Sequence, residues 1–270
     1  MPHITWCLAG PLAFLPIHAA GLYGTTAQPK IFDYVVSSYT PTLTSLLRAK
    51  HSPPKTSQTA QLLVISQPAT PHQNPLPGTV DEADVIQTIQ RNSGQFDVSW
   101  LNGCEASVAV VLEHMEKCSW VHFACHGVQE LVNPIESAFL LFDEQLTLRE
   151  IMKQSFSCAK LAFLSACQTA TGDSKLPEEA IHLAAGMLMA GYGSVVATMW
   201  SIQDNDAPIV AEKFYKYLTE EAGGDSGKAA YALHHAVAHL RNMRGVDRVE
   251  LWAPFIHLGI CLPHSYSLSK

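Results

Sequence analysis

The sequence predicts an α/β fold with a mostly parallel sheet that is flanked by helices on both faces. Two observations predict it. Short apolar runs alternate along the chain with longer stretches whose apolar residues recur at helical spacing, and strands that alternate with helices form mostly parallel sheets. The chain also has 270 residues, of which 47% are hydrophobic, so it can bury a large core as one domain or as two smaller ones.

Residues 62–124 are predicted to contain three strands and two helices. The second of these helices has Val108, Val111, Leu112 and Met115 at positions i, i+3, i+4 and i+7, which places them on one face. The predicted elements, in order, are a strand at 62–65, a loop at 67–78, a helix at 80–90, a strand at 96–101, a helix at 105–117 and a strand at 120–124.

The second half of the chain continues the alternation. Pro177, Glu178 and Glu179 open a helix in the favoured way, with proline early and acids in the first turn, and Gly191 is placed to end it. The other predicted elements are a hairpin at 138–142 and 146–148, a short helix at 148–154, strands at 160–165 and 194–199, helices at 206–218 and 228–240, and a final strand at 255–262.

Residues 4–22 are apolar and carry no charge except on His18, so they resemble the apolar segment of a signal peptide. A basic segment before them is missing, and Pro11 and Pro16 interrupt them. We therefore predict a buried strand and loop here. No other stretch of the sequence reaches the length of a membrane span.

Charge and cysteine content exclude several classes of partner. Seventeen basic residues against 24 acidic ones give a net charge of −7, which offers no excess of cations for a phosphate backbone or an anionic membrane. Nucleic acid and membrane partners are therefore not expected. Seven cysteines without a C-x-x-C pair do not fit a disulfide framework or a zinc ribbon, and this favours a reducing, cytoplasmic location.

Two predicted strands end on reactive side chains. The strand at 120–124 is followed by His126, and the strand at 160–165 is followed by Cys167. If the hairpin and helix between them form a crossover, the two strands are parallel neighbours and both residues lie at the edge where such sheets bind ligands. An imidazole beside a thiol takes its proton or stabilises the thiolate. The alternative from the pattern alone is a buried cysteine and a turn histidine.

The surroundings of the pair suggest further roles. Glycine at position 127 allows its backbone N–H to approach a bound carbonyl, and the N–H of Cys167 is a second candidate donor to an oxyanion. Cys125 is interpreted as a packing residue, because its side chain and that of His126 are adjacent in sequence and diverge. No metal or organic cofactor is needed for this chemistry.

Four residues are candidates for the substrate cleft. Gln168 follows the candidate nucleophile directly, and Asp173 belongs to a Gly-containing turn that leaves room beside the thiol. Trp200 and Asp204 follow a later strand at the same edge. For the acids Asp204 and Asp206, helix capping is an equally good interpretation.

Longer motifs around the pair resemble a known family. VHFACHG at 121–127 and LAFLSACQTATGD at 161–173 resemble the His and Cys boxes of the CHAT domain, a caspase- and separase-related family of cysteine peptidases. GPLAFLPIHAAG, SAFLLFD and LPEEAIHLAAGMLMAGYGSVVATMWSIQDNDAP agree with it. The similarity covers nearly the whole chain and is greatest to fungal members.

The resemblance implies a caspase-like fold in a single domain over 1–270, with 1–60 as its N-terminal portion and 61–270 as the peptidase core. It implies a dyad of His126 and Cys167, with Gly127 in the oxyanion site, in an endopeptidase that cleaves protein or peptide substrates. Ser165 stands where the caspase signature has Gln, so cleavage after aspartate is not implied.

The chain begins abruptly inside what resembles the first strand of the domain, and the helical repeats that often precede it are missing. We therefore expect a truncated form whose regulatory helical-repeat region or partner lies outside this sequence. A second hypothesis is a catalytically silent signalling or scaffold module that binds protein partners on its helices. The intact dyad favours the enzyme.

Overall fold

A computed structural model describes residues 1–24, 28–44, 60–128, 130, 132–154, 156–165, 167–168 and 180–261. The strands within these ranges are β1 (His3–Trp6), β2 (Val36–Tyr39), β3 (Ala60–Ser66), β4 (Phe96–Asn102), β5 (Trp120–Ala124), β6 (His126–Val128), β7 (Ala138–Leu140), β8 (Gln145–Thr147), β9 (Leu161–Leu164), β10 (Cys167–Gln168), β11 (Ser194–Thr198) and β12 (Phe255–Gly259). The α-helices are α1 (Gly78–Ser93), α2 (Val108–Lys117), α3 (Leu148–Lys153), α4 (Ala180–Met189), α5 (Ala207–Glu220), α6 (Ala229–Arg244) and α7 (Val249–Trp252).

Eight strands form the large sheet, in the order β1-β2-β12-β11-β9-β5-β3-β4. All of its pairings are parallel except that of β11 with β12. The parallel pairs are possible because helices cross between the strands and cover the sheet, which buries the central strands on both faces. The predicted mostly parallel sheet is therefore confirmed.

Two hydrophobic clusters lie on opposite faces of this sheet. Along β3, Leu63 and Ile65 belong to one cluster and Leu62 and Val64 to the other, as the period of two in a strand requires. Helices α2, α3 and α4 supply side chains to the first cluster, and α1, α5, α6 and α7 supply the second. The expected helices on both faces are confirmed.

Helix ends differ from the predicted bounds for local reasons. Helix α2 begins after the predicted start at 105, because Gly103–Glu105 form a 3₁₀ turn and Ser107 caps the helix through its hydroxyl, which accepts from the N–H of Val110. The predicted helix opening at 177–179 lies outside the described residues. Gly191, with φ of 108°, follows the end of α4.

A second sheet has four strands in the order β10-β6-β7-β8. Two of them continue the chain beyond the carboxyl ends of central strands, since β6 follows β5 and β10 follows β9. Strands β7 and β8 form an antiparallel pair, as the predicted hairpin requires. The rings of Phe123 in β5 and Phe139 in β7 stack with their centroids 4.1 Å apart, which packs the small sheet against the core.

The N-terminal segment is less buried than predicted. Strand β1 is the last strand of the large sheet, so it has a neighbour on one side only, and Ile4 is 37% exposed. Short 3₁₀ turns follow at Gly10–Phe14 and Ile17–Ala19, and Leu12 and Leu15 are about half exposed. The prediction of a buried strand is therefore wrong for most of this segment.

Two buried histidines join the N-terminal strands to the rest of the sheet. Both nitrogens of His257 lie 2.6 Å from serine hydroxyls, those of Ser38 in β2 and Ser194 in β11. His18 contacts the Tyr39 hydroxyl through Nδ1 at 2.7 Å and the Ala253 carbonyl through Nε2 at 3.1 Å. Burial lowers the pKa of His257 to about 3 and that of His18 to about 4.

We expect these histidines to make the fold sensitive to acid. The unfolded chain binds a proton at each imidazole near pH 6.5, whereas the folded protein does not until about pH 4 or below. Above pH 6.5 these two histidines leave the free energy of unfolding unchanged. Between pH 6.5 and 4 the free energy of unfolding falls progressively, by roughly several kcal/mol for the two groups together.

Urea denaturation at a series of pH values measures this loss. His18→Gln is the matched substitution, because its amide nitrogen can replace Nε2 as the donor to Ala253 but does not titrate. The substituted protein should lose less stability than the wild type from pH 6.5 to 4. Equal slopes would show that His18 does not contribute.

Candidate active site

The two strands that carry the predicted pair are direct neighbours. Strands β5 and β9 pair in parallel, with Phe123 opposite Leu164, so their carboxyl ends meet at one edge. The chain then continues from each of them into the small sheet, where β6 and β10 also pair in parallel and His126 is the partner of Cys167. Neighbouring strands lie about 4.8 Å apart. The backbones of the two predicted site residues therefore lie side by side.

The hydrogen bonds of His126 assign different roles to its two nitrogens. Nε2 lies 2.7 Å from the carbonyl oxygen of Asn74, which can only accept a hydrogen bond, so Nε2 carries the proton. Nδ1 is buried and has no hydrogen-bond partner among the described residues. In a neutral imidazole Nδ1 is then the unprotonated nitrogen, which makes it the atom that can accept a proton.

The loop between β3 and α1 places the Asn74 carbonyl within hydrogen-bonding distance of His126. Gln67 begins this loop and donates its backbone N–H to the carbonyl of Ala124, at the end of β5. Leu76 donates back to the carbonyl of Pro68 at 2.9 Å, which closes the loop. Sequence reasoning missed Asn74 because the contact is made by a backbone carbonyl, which any residue type could supply.

Only some of the other predicted site residues around the pair lie within the described part of the chain. Gly127 is buried, and its backbone lies between Phe139 of β7 and Gln168 of β10. Asp173 and the side chains of Cys167 and Gln168 lie outside the described residues. The oxyanion role of Gly127 and the cleft roles of Gln168 and Asp173 stay predictions.

Trp200 and Asp204 both make contacts that support the fold. The indole Nε1 of Trp200 donates to the backbone carbonyl of Glu250 at 3.0 Å. Asp204 accepts the N–H of Gly78 at 2.8 Å, so it caps α1, not the helix that follows it in sequence. A Cβ at position 78 would lie 2.6 Å from the Asp204 carbonyl, so only glycine fits this approach. Their assignment to a substrate cleft stays a prediction.

Asp206 also departs from the capping interpretation. Its carboxylate is fully buried and accepts from the guanidinium of Arg244 at 2.8 Å, and its side chain makes no cap hydrogen bond to α5. Cys125 is fully buried in the hydrophobic core, in agreement with its interpretation as a packing residue.

A buried polar cluster, made of Glu82, His122, Ser165 and Tyr215, lies behind the two strands. Glu82 accepts from the Ser165 hydroxyl at 3.0 Å through Oε1, and its Oε2 lies 2.9 Å from Nε2 of His122. Nδ1 of His122 is 3.1 Å from the Tyr215 hydroxyl. Burial raises the pKa of Glu82, and the contacts with His122 and Ser165 oppose that rise. His122 and Ser165 lie in the His and Cys boxes, but no sequence motif indicated that they meet Glu82 and Tyr215.

The described part of the chain shows no candidate metal centre. It contains no group of three or more His, Cys, Asp or Glu side chains arranged to hold a metal ion. None of the described helices is both long and apolar enough to span a bilayer.

Comparisons with solved structures show a similar fold in three of them. The Arg-specific cysteine proteinase gingipain R matches with a TM-score of 0.58 at 11% identity, over 84% of this chain and 54% of that one. The complex of Porphyromonas gingivalis RgpB pro- and mature domains matches with a TM-score of 0.56 at 10% identity, over 84% and 55%. The Saccharomyces cerevisiae separase–securin complex matches with a TM-score of 0.57 at 15% identity, over 92% and 15%.

This chain therefore spans about half the length of the gingipain chain and a much smaller part of the separase chain. No curated protein sequence matches it. The model of the CHAT domain family, in contrast, matches residues 1–260, which is nearly the whole chain. The protein with this sheet and this His/Cys edge belongs to the CHAT domain family.

Proposed function

We propose that this protein is a cysteine endopeptidase in which Cys167 attacks a peptide bond and His126 transfers the proton. One observation carries the proposal: His126 is the strand partner of Cys167, and its Nε2–H is held by the Asn74 carbonyl while its buried Nδ1 has no partner among the described residues. A base with its second nitrogen fixed is oriented for proton transfer.

The proposed reaction begins when Nδ1 of His126 takes the thiol proton of Cys167. The thiolate attacks the carbonyl carbon of the scissile peptide, and the backbone N–H groups of Gly127 and Cys167 stabilise the negative oxygen. The imidazolium returns its proton from Nδ1 to the leaving amine, which leaves an acyl-enzyme. Water, activated by the same nitrogen, then releases the acyl group and restores the thiol. The Asn74 carbonyl accepts from Nε2 throughout and keeps the ring in one orientation.

The substrates in this proposal are proteins or peptides. The reaction needs no cofactor. The proposed location is cytoplasmic, because the seven cysteines do not fit a disulfide framework and this favours a reducing compartment. Gln168, Asp173, Trp200 and Asp204 are proposed to border the cleft. Of these, Asp204 would act there while it also holds the first turn of α1. A regulatory helical-repeat region or partner, if present, would control access.

A second candidate function is a silent scaffold or signalling module that keeps the fold and binds protein partners. Its support is the burial of His126, which is only 1% exposed. A base that must meet a substrate is usually reached from solvent, so a permanently closed site would have no turnover.

Two measurements separate these functions. The purified wild-type protein and a Cys167→Ala protein are incubated with a proteome-derived peptide library, and new peptide ends are identified by mass spectrometry. In parallel, iodoacetamide labelling rates are measured for Cys167 and for the exposed Cys104 and Cys158, which act as internal references.

We expect cleavage only by the wild type, together with faster labelling at Cys167 than at the two reference cysteines. The peptidase proposal would be overturned by two results together. The wild type would cleave no more peptides than the Cys167→Ala protein does, and Cys167 would label no faster than Cys104 and Cys158.

A further inference from the structure

We infer that Glu82 is a positioning residue for the Cys167–His126 pair and acts through Ser165 and His122. The inference rests on the proposed peptidase function. Glu82 is 1% exposed, on the second turn of α1, and takes no part in the proposed reaction itself. A buried carboxylate without a catalytic step of its own needs a physical explanation.

The connections of this carboxylate lead to both members of the pair. Ser165, which donates to Oε1 of Glu82, directly follows β9 and stands two residues before Cys167. His122, which contacts Oε2, lies in β5 four residues before His126. One side chain therefore connects the strand that leads to the nucleophile with the strand that leads to the base.

The helix that carries Glu82 also fixes the loop with the Asn74 carbonyl, which is the third group of the site beside His126 and Cys167. Asn74, whose carbonyl holds His126, lies four residues before the first residue of α1, Gly78. The first turn of this helix is fixed by the bond from the Gly78 N–H to Asp204. The position of α1 thus sets the position of the Asn74 carbonyl, and Glu82 ties α1 to the two strands below it.

Stability alone does not explain a carboxylate at this position. Removing a carboxylate from water is costly, and burial raises the pKa of Glu82 accordingly. The ring of His122 stacks on Phe163 at 4.7 Å between centroids, so the cluster lies within an otherwise apolar layer. Apolar side chains of similar volume often replace such buried groups without loss of stability. Directional hydrogen bonds fix the placement of strand ends, which apolar contacts do not.

The strands that carry the pair need such support because they are short. Strand β10 contributes only Cys167 and Gln168 to its ladder with β6. The bond from Ser165 to Glu82 holds the segment directly before this ladder, and the Ser165 N–H also donates to the Phe123 carbonyl at 2.9 Å. Loss of the side-chain bond would let the thiol move relative to Nδ1, and displacements of about 1 Å can reduce catalytic rates about 100-fold.

Ser165→Ala tests the inference because it removes one hydroxyl and leaves the carboxyl group of Glu82 in place. We expect kcat to fall by about 10- to 100-fold with KM changed less than about 2-fold, and the labelling rate of Cys167 by iodoacetamide to fall with kcat. Ser165→Thr keeps a hydroxyl and should restore most of both rates. Glu82→Gln keeps one oxygen that can accept from Ser165. Its kcat and its Cys167 labelling rate should therefore fall less than those of Glu82→Ala.

Ser194→Ala is the matched control. Ser194, like Ser165, is a buried serine with a side-chain hydrogen bond, but its partner is His257 and it lies at the start of β11 opposite Leu161, at the other edge of the sheet. This substitution should reduce stability without a change in kcat. Circular dichroism and urea denaturation show whether each substituted protein is folded.

The outcomes distinguish this inference from the proposed function. If the wild type cleaves no more peptides than the Cys167→Ala protein and Cys167 labels no faster than Cys104 and Cys158, the proposed function fails first. If the wild type is reactive and the folded Ser165→Ala protein keeps both rates, the positioning role is overturned and the peptidase proposal stands. A rise in KM alone would also overturn it, because Ser165 would then contact substrate directly.

Discussion

Cys167→Ala is expected to abolish peptide turnover, and His126→Ala to lower kcat by about 10²–10⁴-fold. The thiol supplies the only proposed nucleophile, so nothing replaces it. Without the imidazole the thiol has no adjacent base and its thiolate fraction at neutral pH is small. The two effects should not add, because both residues act in one step: the doubly substituted protein should be no slower than Cys167→Ala alone.

Steady-state cleavage of a peptide found in the library gives kcat and KM for each protein. Labelling of Cys167 by iodoacetamide as a function of pH gives a second measurement that needs no substrate. In His126→Ala, half-maximal labelling should require a higher pH than in the wild type. Cys125→Ala is the control, because Cys125 is adjacent to His126 but buried in the core. Full activity of Cys167→Ala, or loss of activity only in Cys125→Ala, would contradict the proposed pair.

Gly259→Ala is expected to reduce the free energy of unfolding by about 2–5 kcal/mol. Gly259 ends β12 with φ of 110°, a conformation that L-residues with a side chain rarely adopt. A Cβ there would lie 2.4 Å from the carbonyl oxygen of Gly193, which also accepts the N–H of Ile260. The backbone must therefore shift, and this disrupts the end of the β11–β12 ladder, where Ser194 faces Gly259.

Gly191→Ala separates the two causes of this loss. Gly191 has nearly the same φ, 108°, but the nearest atom to its Cβ would be the Phe156 carbonyl oxygen at 3.8 Å. The control should therefore lose only the conformational part, about 1–2 kcal/mol. Urea denaturation of both proteins measures the difference. Equal losses would mean that the contact with Gly193 is relieved without cost.

The acid-sensitive histidines and Gly259 act on the same part of the sheet. Strand β12 pairs with β11 on one side and with β2 on the other, through Leu258 and Tyr39. It thereby connects the N-terminal strands to the strands that carry the candidate site. We expect changes at His257 or Gly259 to reduce stability first and turnover only as the fold is lost.

Much of the fold was predictable because buried strands and amphipathic helices leave periodic patterns. The run at 62–65 appears as β3 with all four side chains fully buried, and the hairpin around 143–145 forms as predicted. Local capping chemistry set several bounds: Thr147 accepts from the N–H of Glu150 at 3.2 Å and begins α3. Where a strand lies at the edge of the sheet, as β1 does, apolar composition alone gave the wrong burial.

The sequence by itself determined most of the alternating strands and helices from residue 60 onwards, the mostly parallel sheet and the two residue types at the ends of β5 and β9. It did so because periodicity and residue chemistry are local properties of the chain. Only the tertiary structure brought the Asn74 carbonyl to Nε2 of His126, Asp204 to the start of α1, and Glu82 between His122 and Ser165. These contacts join segments far apart in sequence, and one of them uses a backbone carbonyl, so no local pattern of residue types encodes them.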